Sequence, residues 1–180
     1  SMLKDAEHQQ VVFDEQLEKC GVDYFDYYLL HNLTKTSYKK AEEFGSFAFA
    51  MQKKAEGKVR HVGFSFHDEA DLLDEILTKH PEVEFVQLQL NYIDWESQTI
   101  QSRACYEVCV KHNKPVIVME PVKGGILVNS LPQKAKELYE QANPAMSVAS
   151  WAVRFAASHE NEMMVLSGMS SLEQLEDNLS

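Results

Sequence analysis

The chain has 180 residues, of which 44% are hydrophobic, and it carries a formal net charge of −11 at pH 7. A chain of this size and composition can bury one core, whereas its acidity argues against non-specific binding to nucleic acid or to an anionic membrane surface. It contains no apolar run near the roughly 20 residues of a membrane helix, and three cysteines fit a reducing compartment. We therefore predict one cytoplasmic domain over residues 3–180, with Ser1 and Met2 as an expression scar.

The chain begins with a helical pattern from Ala6 to Cys20, which Gly21 ends. An aromatic and aliphatic run from Asp23 to Asn32 follows it. This run predicts a buried parallel strand with His31 at its exit.

Four later apolar segments repeat the plan, and helix-periodic sequence separates most of them. They are Val59 to Phe66, Phe85 to Tyr92, Pro115 to Glu120 and Met163 to Gly168. The intervening helices are predicted around Phe44 to Gly57, after an Asp68 N-cap, from Ser97 to His112, from Pro132 to Ala142 and after Ser147. A last helix is predicted to begin at a Ser170–Glu173 capping box and to bury Leu172, Leu175 and Leu179.

Polar residues and glycines follow the strands, where the active face of a parallel βα series lies. Either Gln87 or Gln89 is a ligand candidate, because a buried amide needs hydrogen-bond partners. The pair Gly124 and Gly125 allows backbone N–H groups to approach a ligand closely. The start of the last helix can bind an anion such as phosphate.

Five motifs in order resemble the aldo-keto reductase superfamily, from about Gln16 to Leu179. They are Tyr-Phe-Asp-Tyr-Tyr-Leu-Leu-His, Gly-Lys-Val-Arg-His-Val-Gly-Phe-Ser, Val-Gln-Leu-Gln-Leu-Asn-Tyr, Met-Glu-Pro-Val-Lys-Gly-Gly and Ser-Gly-Met-Ser-Ser-Leu-Glu-Gln-Leu-Glu-Asp-Asn-Leu. The resemblance implies an α/β fold that is a partial (β/α)8 TIM barrel, namely strands four to eight with their helices. The fourth motif is similar to a branch that often carries a C-terminal iron–sulfur segment, whose cysteines are absent here.

The resemblance also implies an NAD(P)H-dependent oxidoreductase that reduces aldehyde or ketone carbonyls by hydride transfer. His31 would be catalytic, because a neutral imidazole can donate a hydrogen bond that orients the carbonyl oxygen. The family's first three strands supply a catalytic tyrosine, lysine and aspartate that this chain has no room for. We therefore expect a fragment that is inactive in isolation, whose parent binds a nicotinamide cofactor and a small carbonyl substrate.

Cofactor contacts carry over position by position from the resemblance. Ser65 and Gln87 match two of the three carboxamide contacts, Phe66 stands at the third, and Met119 replaces a ring-stacking tyrosine. The remaining positions are Pro121, Val122, Lys123 and Gly124 at the pyrophosphate, Gly168, Met169 and Ser170 at the adenosine phosphate or ribose, and Asp177 and Asn178 at adenine. Met169 and Gln174 stand where NADPH-using relatives have a lysine and an arginine, which favours NADH.

Two other functions stay open at this point. One is a non-catalytic module that binds the cofactor or regulates through the reductase shape. The other is a metal-dependent barrel hydrolase with His31, His67 and Glu120 as ligands, although no metal is implied by the resemblance.

Cutting a closed barrel leaves two open strand edges. The strands Tyr24 to Leu30 and Met163 to Leu166 each lose one neighbour, and unpaired apolar edges favour association. We therefore predict self-association through the open edges of the barrel.

Overall fold

The computed structural model describes residues 3–179 and contains one five-stranded sheet. Ser1 and Met2, set apart above as an expression scar, lie outside that range, as does Ser180. The strands are β1 Phe25–Leu33, β2 Val59–Phe66, β3 Phe85–Gln89, β4 Val116–Met119 and β5 Glu162–Val165. They lie in chain order and all pair in parallel, which confirms the predicted partial (β/α)8 barrel.

Helices connect the strands and cover one face of the sheet. They are α1 His8–Cys20, α2 Lys35–Glu43, α3 Ser46–Ala55, α4 Ala70–Lys79, α5 Ser102–Lys111, α6 Ile126–Asn129, α7 Gln133–Ala142, α8 Val148–Ala156 and α9 Leu172–Leu179. A short 3-10 turn, Lys123–Gly125, precedes α6. Among residues 3–179, none of these helices has the length and apolar character to cross a membrane.

The core lies between the sheet and the helices. Alternate strand residues such as Phe64 and Val86 face Leu73 and Ile76 of α4, and all four side chains are fully buried. A second cluster surrounds Phe13 of α1, whose ring meets those of Phe25, Tyr28 and Phe49 edge to face. We call the opposite side of the sheet, which the helices do not cover, the inner face.

The inner face is partly covered by its own side chains. A Cβ on Gly63 would lie 2.6 Å from the ring of Phe85, so this ring packs directly on the β2 backbone. Tyr27 stacks on His61, meets Phe85 edge to face and donates its hydroxyl toward Met163 Sδ at 3.9 Å. Because Tyr27 lies on β1 and Met163 on β5, the two outer strands of the sheet touch near their amino-terminal ends.

Three helix boundaries differ from the sequence predictions. The helix predicted around Phe44 to Gly57 is α3, which begins only at Ser46, because Gly45 adopts a left-handed φ of 64° that separates it from α2. Asp68 does not cap α4; its carboxylate accepts hydrogen bonds from the N–H groups of Lys35 and Glu69, so it fixes the start of α2. The helix predicted from Ser97 begins only at Ser102.

Candidate functional site

His31 lies inside β1 and not at its exit. The strand continues to Leu33, which is buried and pairs with Phe66 after a register shift. The shift accommodates Asn32, which has a left-handed φ of 59°, a conformation that asparagine tolerates better than most residues. The strand therefore bends at the predicted catalytic histidine and leaves its side chain exposed.

His67, which directly follows β2, lies within electrostatic range of both His31 and Glu120. Burial lowers the pKa of His67, the charge of His31 lowers it further, and the carboxylate of Glu120 acts in the opposite direction. The sheet thus brings together the exits of β1, β2 and β4, as predicted for a parallel βα series. Nowhere in residues 3–179 do three or more His, Cys, Asp or Glu side chains form a group that could hold a metal ion.

The predicted carboxamide contacts lie side by side on adjacent strands. Ser65 pairs in register with Gln87, whose side-chain N–H donates to Met119 Sδ at 3.3 Å. Ser65 is itself 1% exposed, and its Oγ accepts the N–H of Asn32 at 2.7 Å, which leaves the hydroxyl proton to donate elsewhere. The strand register therefore brings these residues together, and their role toward a cofactor stays a prediction.

The segment 120–125, which we call the β4 exit loop, has an unusual backbone. Four of its residues have positive φ angles, namely Glu120 at 60°, Lys123 at 50°, Gly124 at 59° and Gly125 at 86°. Two of these are not glycine, and such conformations are uncommon unless the surroundings hold them. The N–H of Lys123 donates to the Glu120 carbonyl at 3.0 Å, and Pro121 of the loop is buried.

A buried carboxylate, Asp94, holds this loop, and sequence reasoning missed it. Asp94 is 3% exposed and accepts hydrogen bonds from Gln89 at 2.8 Å, from Asn91 at 2.7 Å and from the Lys123 ammonium. Burial raises its pKa, but the bonds from Lys123, Gln89 and Asn91 outweigh that effect and hold the pKa below the ordinary value. The available signal was the Asn91-x-x-Asp94 spacing, since the Asn91 Oδ1 accepts the Asp94 N–H in a tight turn.

The predicted adenosine end lies at the exit of β5 and along α9. Gly168, Met169 and Ser170 are exposed, and the Gln174 side-chain oxygen accepts the Ser170 N–H at 2.7 Å. The Asp177 carboxylate accepts a hydrogen bond from Ser147 Oγ at 2.6 Å. The Asn178 amide donates to the Gln174 carbonyl at 2.8 Å. These side chains are thus engaged with the protein itself at the positions where the resemblance puts the nucleotide.

Two predictions for α9 are wrong. The Ser171 hydroxyl accepts the Gln174 N–H at 3.3 Å, so the cap lies one residue later than the predicted Ser170–Glu173 box. Leu172, Leu175 and Leu179 are 67%, 39% and 79% exposed and do not enter the core. The hydrogen bond between Ser147 and Asp177 joins α9 to the start of α8. Asp177 lies on a side of α9 different from the side that carries these leucines.

An open groove of about 450 Å³ lies along β1, and its lining includes the predicted catalytic residue His31 but none of the predicted cofactor contacts. The groove lies between α1 and α2 and is lined among others by Val12, Gln16, Tyr28, Leu30, Lys40 and Phe44. The described residues that line it include none of β2, the strand with which β1 pairs. It is therefore a feature of the open sheet edge.

A model of the Aldo/keto reductase family matches residues 4–180. The chain belongs to the aldo/keto reductase family. The sequence resemblance is thereby confirmed. The functions that it assigned to His31, Ser65 and the β4 exit loop stay predictions. The further assignment to the iron–sulfur-tailed branch stays a prediction.

Solved aldo-keto reductase structures share the fold at low identity. A thermostable aldo-keto reductase in complex with the inhibitor epalrestat has a TM-score of 0.77 at 20% identity over 97% of this chain and 60% of its own. The holo form of a Bacillus halodurans aldo-keto reductase gives 0.73 at 20% identity, over 97% and 59%. A Klebsiella pneumoniae aldo/keto reductase in complex with NADP and acetate gives 0.72 at 20% identity, over 95% and 58%.

These matches establish the fold and the extent of the similarity. The chain spans about 60% of the length of the first of these structures, which agrees with a partial barrel. No curated protein sequence matches the chain.

Proposed function

We propose that this chain is the cofactor-binding and carbonyl-orienting part of an oxidoreductase that transfers hydride from NAD(P)H to a small aldehyde or ketone. The observation that carries the proposal is the row formed by Ser65, Gln87 and Met119 at the end of the sheet, followed directly by the β4 exit loop. Polar groups at the nicotinamide position and a loop of left-handed backbone at the phosphate position suit a dinucleotide.

His31 orients the carbonyl oxygen in this proposal. An imidazole N–H of His31 donates one hydrogen bond to the carbonyl oxygen and polarises it. Burial and the neighbouring His31 lower the pKa of His67. The His67 imidazole is therefore neutral near pH 7 and adds no positive charge beside His31. The exposure of His31 leaves it accessible to a substrate.

The isolated 180-residue chain does not turn over substrate in this proposal. The resemblance assigns proton transfer to a tyrosine, with a lysine and an aspartate, on strands that precede the part aligned here. Loss of a general acid commonly lowers the rate by about 10²- to 10⁴-fold, and loss of its partners lowers it further. The isolated chain then binds the cofactor without catalysing the reaction, as the alternative of a non-catalytic module also requires.

The cofactor is NADH in preference to NADPH. Met169 and Gln174 carry no charge, and the Gln174 oxygen already accepts hydrogen bonds from Ser170. A dianionic 2′-phosphate at this place lacks the bidentate partner that an arginine would supply. The cytoplasmic location inferred from cysteine usage stays a prediction beside this one.

Nucleotide titration tests the proposal. We expect NADH to change the fluorescence of Trp95, which directly follows Asp94, and to bind at least as tightly as NADPH. Gln87→Ala is expected to weaken binding about tenfold, whereas Lys111→Met, which removes a surface partner of Asp74, leaves it unchanged. Absence of saturable binding up to about 1 mM nucleotide contradicts the proposal.

Self-association is a second proposal, supported by the exposed apolar surface at the two sheet edges. Within the described residues β1 pairs only with β2 and β5 only with β4, and exposed leucines of α9 flank the β5 side. We expect a dimer or larger oligomer in light scattering coupled to size-exclusion chromatography. The double variant Leu172→Ser, Leu179→Ser should shift it toward the 20.6 kDa monomer, and Leu138→Ser, an exposed leucine of α7, should not. A wild-type chain that is monomeric at all concentrations contradicts this proposal.

A further inference from the structure

We infer that Asp94 is a positioning residue: it holds the Lys123 ammonium, and through it the β4 exit loop, in the orientation that presents Lys123 to nucleotide phosphates. The phosphate part of this inference rests on the proposed function. The positioning itself rests on a network of contacts within the chain.

The network is complete around Asp94. One carboxylate oxygen accepts from Gln89 and Asn91, and the other accepts from Lys123. The carboxylate is 3% exposed, whereas the Lys123 side chain is 29% exposed. The anionic end of the pair is therefore fixed inside the protein, and the cationic end reaches the surface.

The same cluster joins the ends of two strands. The Asn91 amide donates to the Glu120 carbonyl at 3.1 Å, and the Leu90 N–H donates to the Met119 carbonyl at 3.1 Å. The turn after β3 is thus bound to the first residue of the β4 exit loop, and the Asp94–Lys123 pair binds it again three residues later. Two ties at this spacing can hold a loop whose backbone is left-handed at Glu120 and Lys123.

The arrangement leaves Lys123 able to bind an anion. An ammonium group has three donors, and Asp94 uses one of them, so two remain for phosphate oxygens. A free lysine samples many rotamers, and a fixed carboxylate removes most of that freedom before the ligand arrives. Burial of Asp94 also keeps this ion pair less screened than a surface pair.

The alternative is that the pair serves only global stability, as buried ion pairs can. A double-mutant cycle of Asp94→Asn and Lys123→Met separates the two roles, with hydrogen exchange and ADP-ribose binding as readouts. The matched control is Asp74→Asn, which removes the carboxylate that pairs with Lys111 on the surface.

We expect each single variant to raise amide exchange about tenfold at Lys123, Gly125 and Leu127, the N–H groups that close the loop. The double variant should add nothing further, because either change breaks the same contact. Exchange at Phe64 in β2 should stay at the wild-type value in all three, and the Asp74→Asn control should change none of these amides.

ADP-ribose affinity should follow the same pattern, with a loss of about tenfold in each single variant and no additional loss in the double variant. Lys123→Arg, which keeps a cation on Asp94, should recover part of the affinity. If the wild type binds no ADP-ribose, the proposed function fails, and the exchange data alone still decide the positioning role. Additive effects, or exchange that rises equally at Phe64 and in the loop, would overturn the inference.

Discussion

The two faces of the same sheet differ sharply in how completely they are buried. On the helix-covered face, Phe64 and Val86 are fully buried against α4. On the inner face, Tyr27, Met164 and Leu166 are 44%, 43% and 42% exposed. The helix-covered face is built from neighbouring βα units, so a five-strand chain completes it, whereas an inner face needs side chains from across a closed barrel.

The inner face is not uniformly open. Phe85 is 1% exposed and Ile117 is 5% exposed, because the central strands are covered by side chains from both sides. Exposure is concentrated on the outer strands, where Tyr27 of β1 contacts Met163 of β5. The difference therefore follows the position of a strand within the sheet as well as the face.

The largest expected difference in stability is between substitutions of two leucines, Leu73 in the helix-covered core and Leu166 on the inner face. Leu73→Ala in α4 empties a site that is fully buried, and it should lower the free energy of unfolding by about 2–5 kcal/mol. Leu166, which follows β5, is 42% exposed, so Leu166→Ala should lower the free energy of unfolding by less than about 1 kcal/mol. Urea unfolding curves measure both, and equal losses would show that the inner face is as well packed as the core.

A smaller effect is expected where the inner face is covered. Gly63→Ala places a Cβ 2.6 Å from the Phe85 ring, which must move, and we expect a loss of about 1–3 kcal/mol. Gly168→Ala is the matched control, because a Cβ there meets nothing within 4 Å and its φ is not left-handed. The double variant Gly63→Ala, Phe85→Leu should recover part of the loss, and the absence of any loss in Gly63→Ala would mean that Phe85 is loosely held.

The sequence predicts correctly those features that local sequence determines. The five strands begin within two residues of their predicted starts, because a buried parallel strand is an apolar run that local sequence reveals. The family motifs fix the order of the strands. Gly21 ends α1 and Ser147 caps α8 as predicted, since both act within a few residues of themselves.

The failures concern contacts between distant residues. The extension of β1 beyond His31 depends on Leu33 pairing with Phe66, which lies 33 residues away in the sequence. Asp94 and Lys123 meet only once β3 and β4 are adjacent. The exposed leucines of α9 follow the helical pattern of a buried face, but pattern alone does not supply the surface that would cover them.

The smallest expected effect concerns pH and lies at the start of β5, on the outer strand. Burial raises the pKa of Glu162 to about 7, despite a hydrogen bond from the His159 N–H, and burial lowers the pKa of His159. His159 Nδ1 lies 2.9 Å from Glu162 Oε1, inside a cluster that includes Trp95 and Phe155. The folded state therefore holds a proton on Glu162 that the unfolded chain releases near its ordinary value of 4.5.

Because the folded state binds more protons at Glu162, this residue stabilises the fold fully below pH 4.5, and its contribution is lost as the pH rises toward 7. The lowered pKa of His159 acts in the opposite direction, since stability from that group increases as the pH rises through the lowered value toward 6.5. Glu162→Gln removes only the first effect, so we expect the variant to gain on the order of 1 kcal/mol relative to wild type between pH 4.5 and 7. Thermal unfolding of both proteins across this range measures the difference, with Glu160→Gln, a neighbouring carboxylate, as the control. A difference between variant and wild type that does not change with pH would mean that folding does not raise the pKa of Glu162.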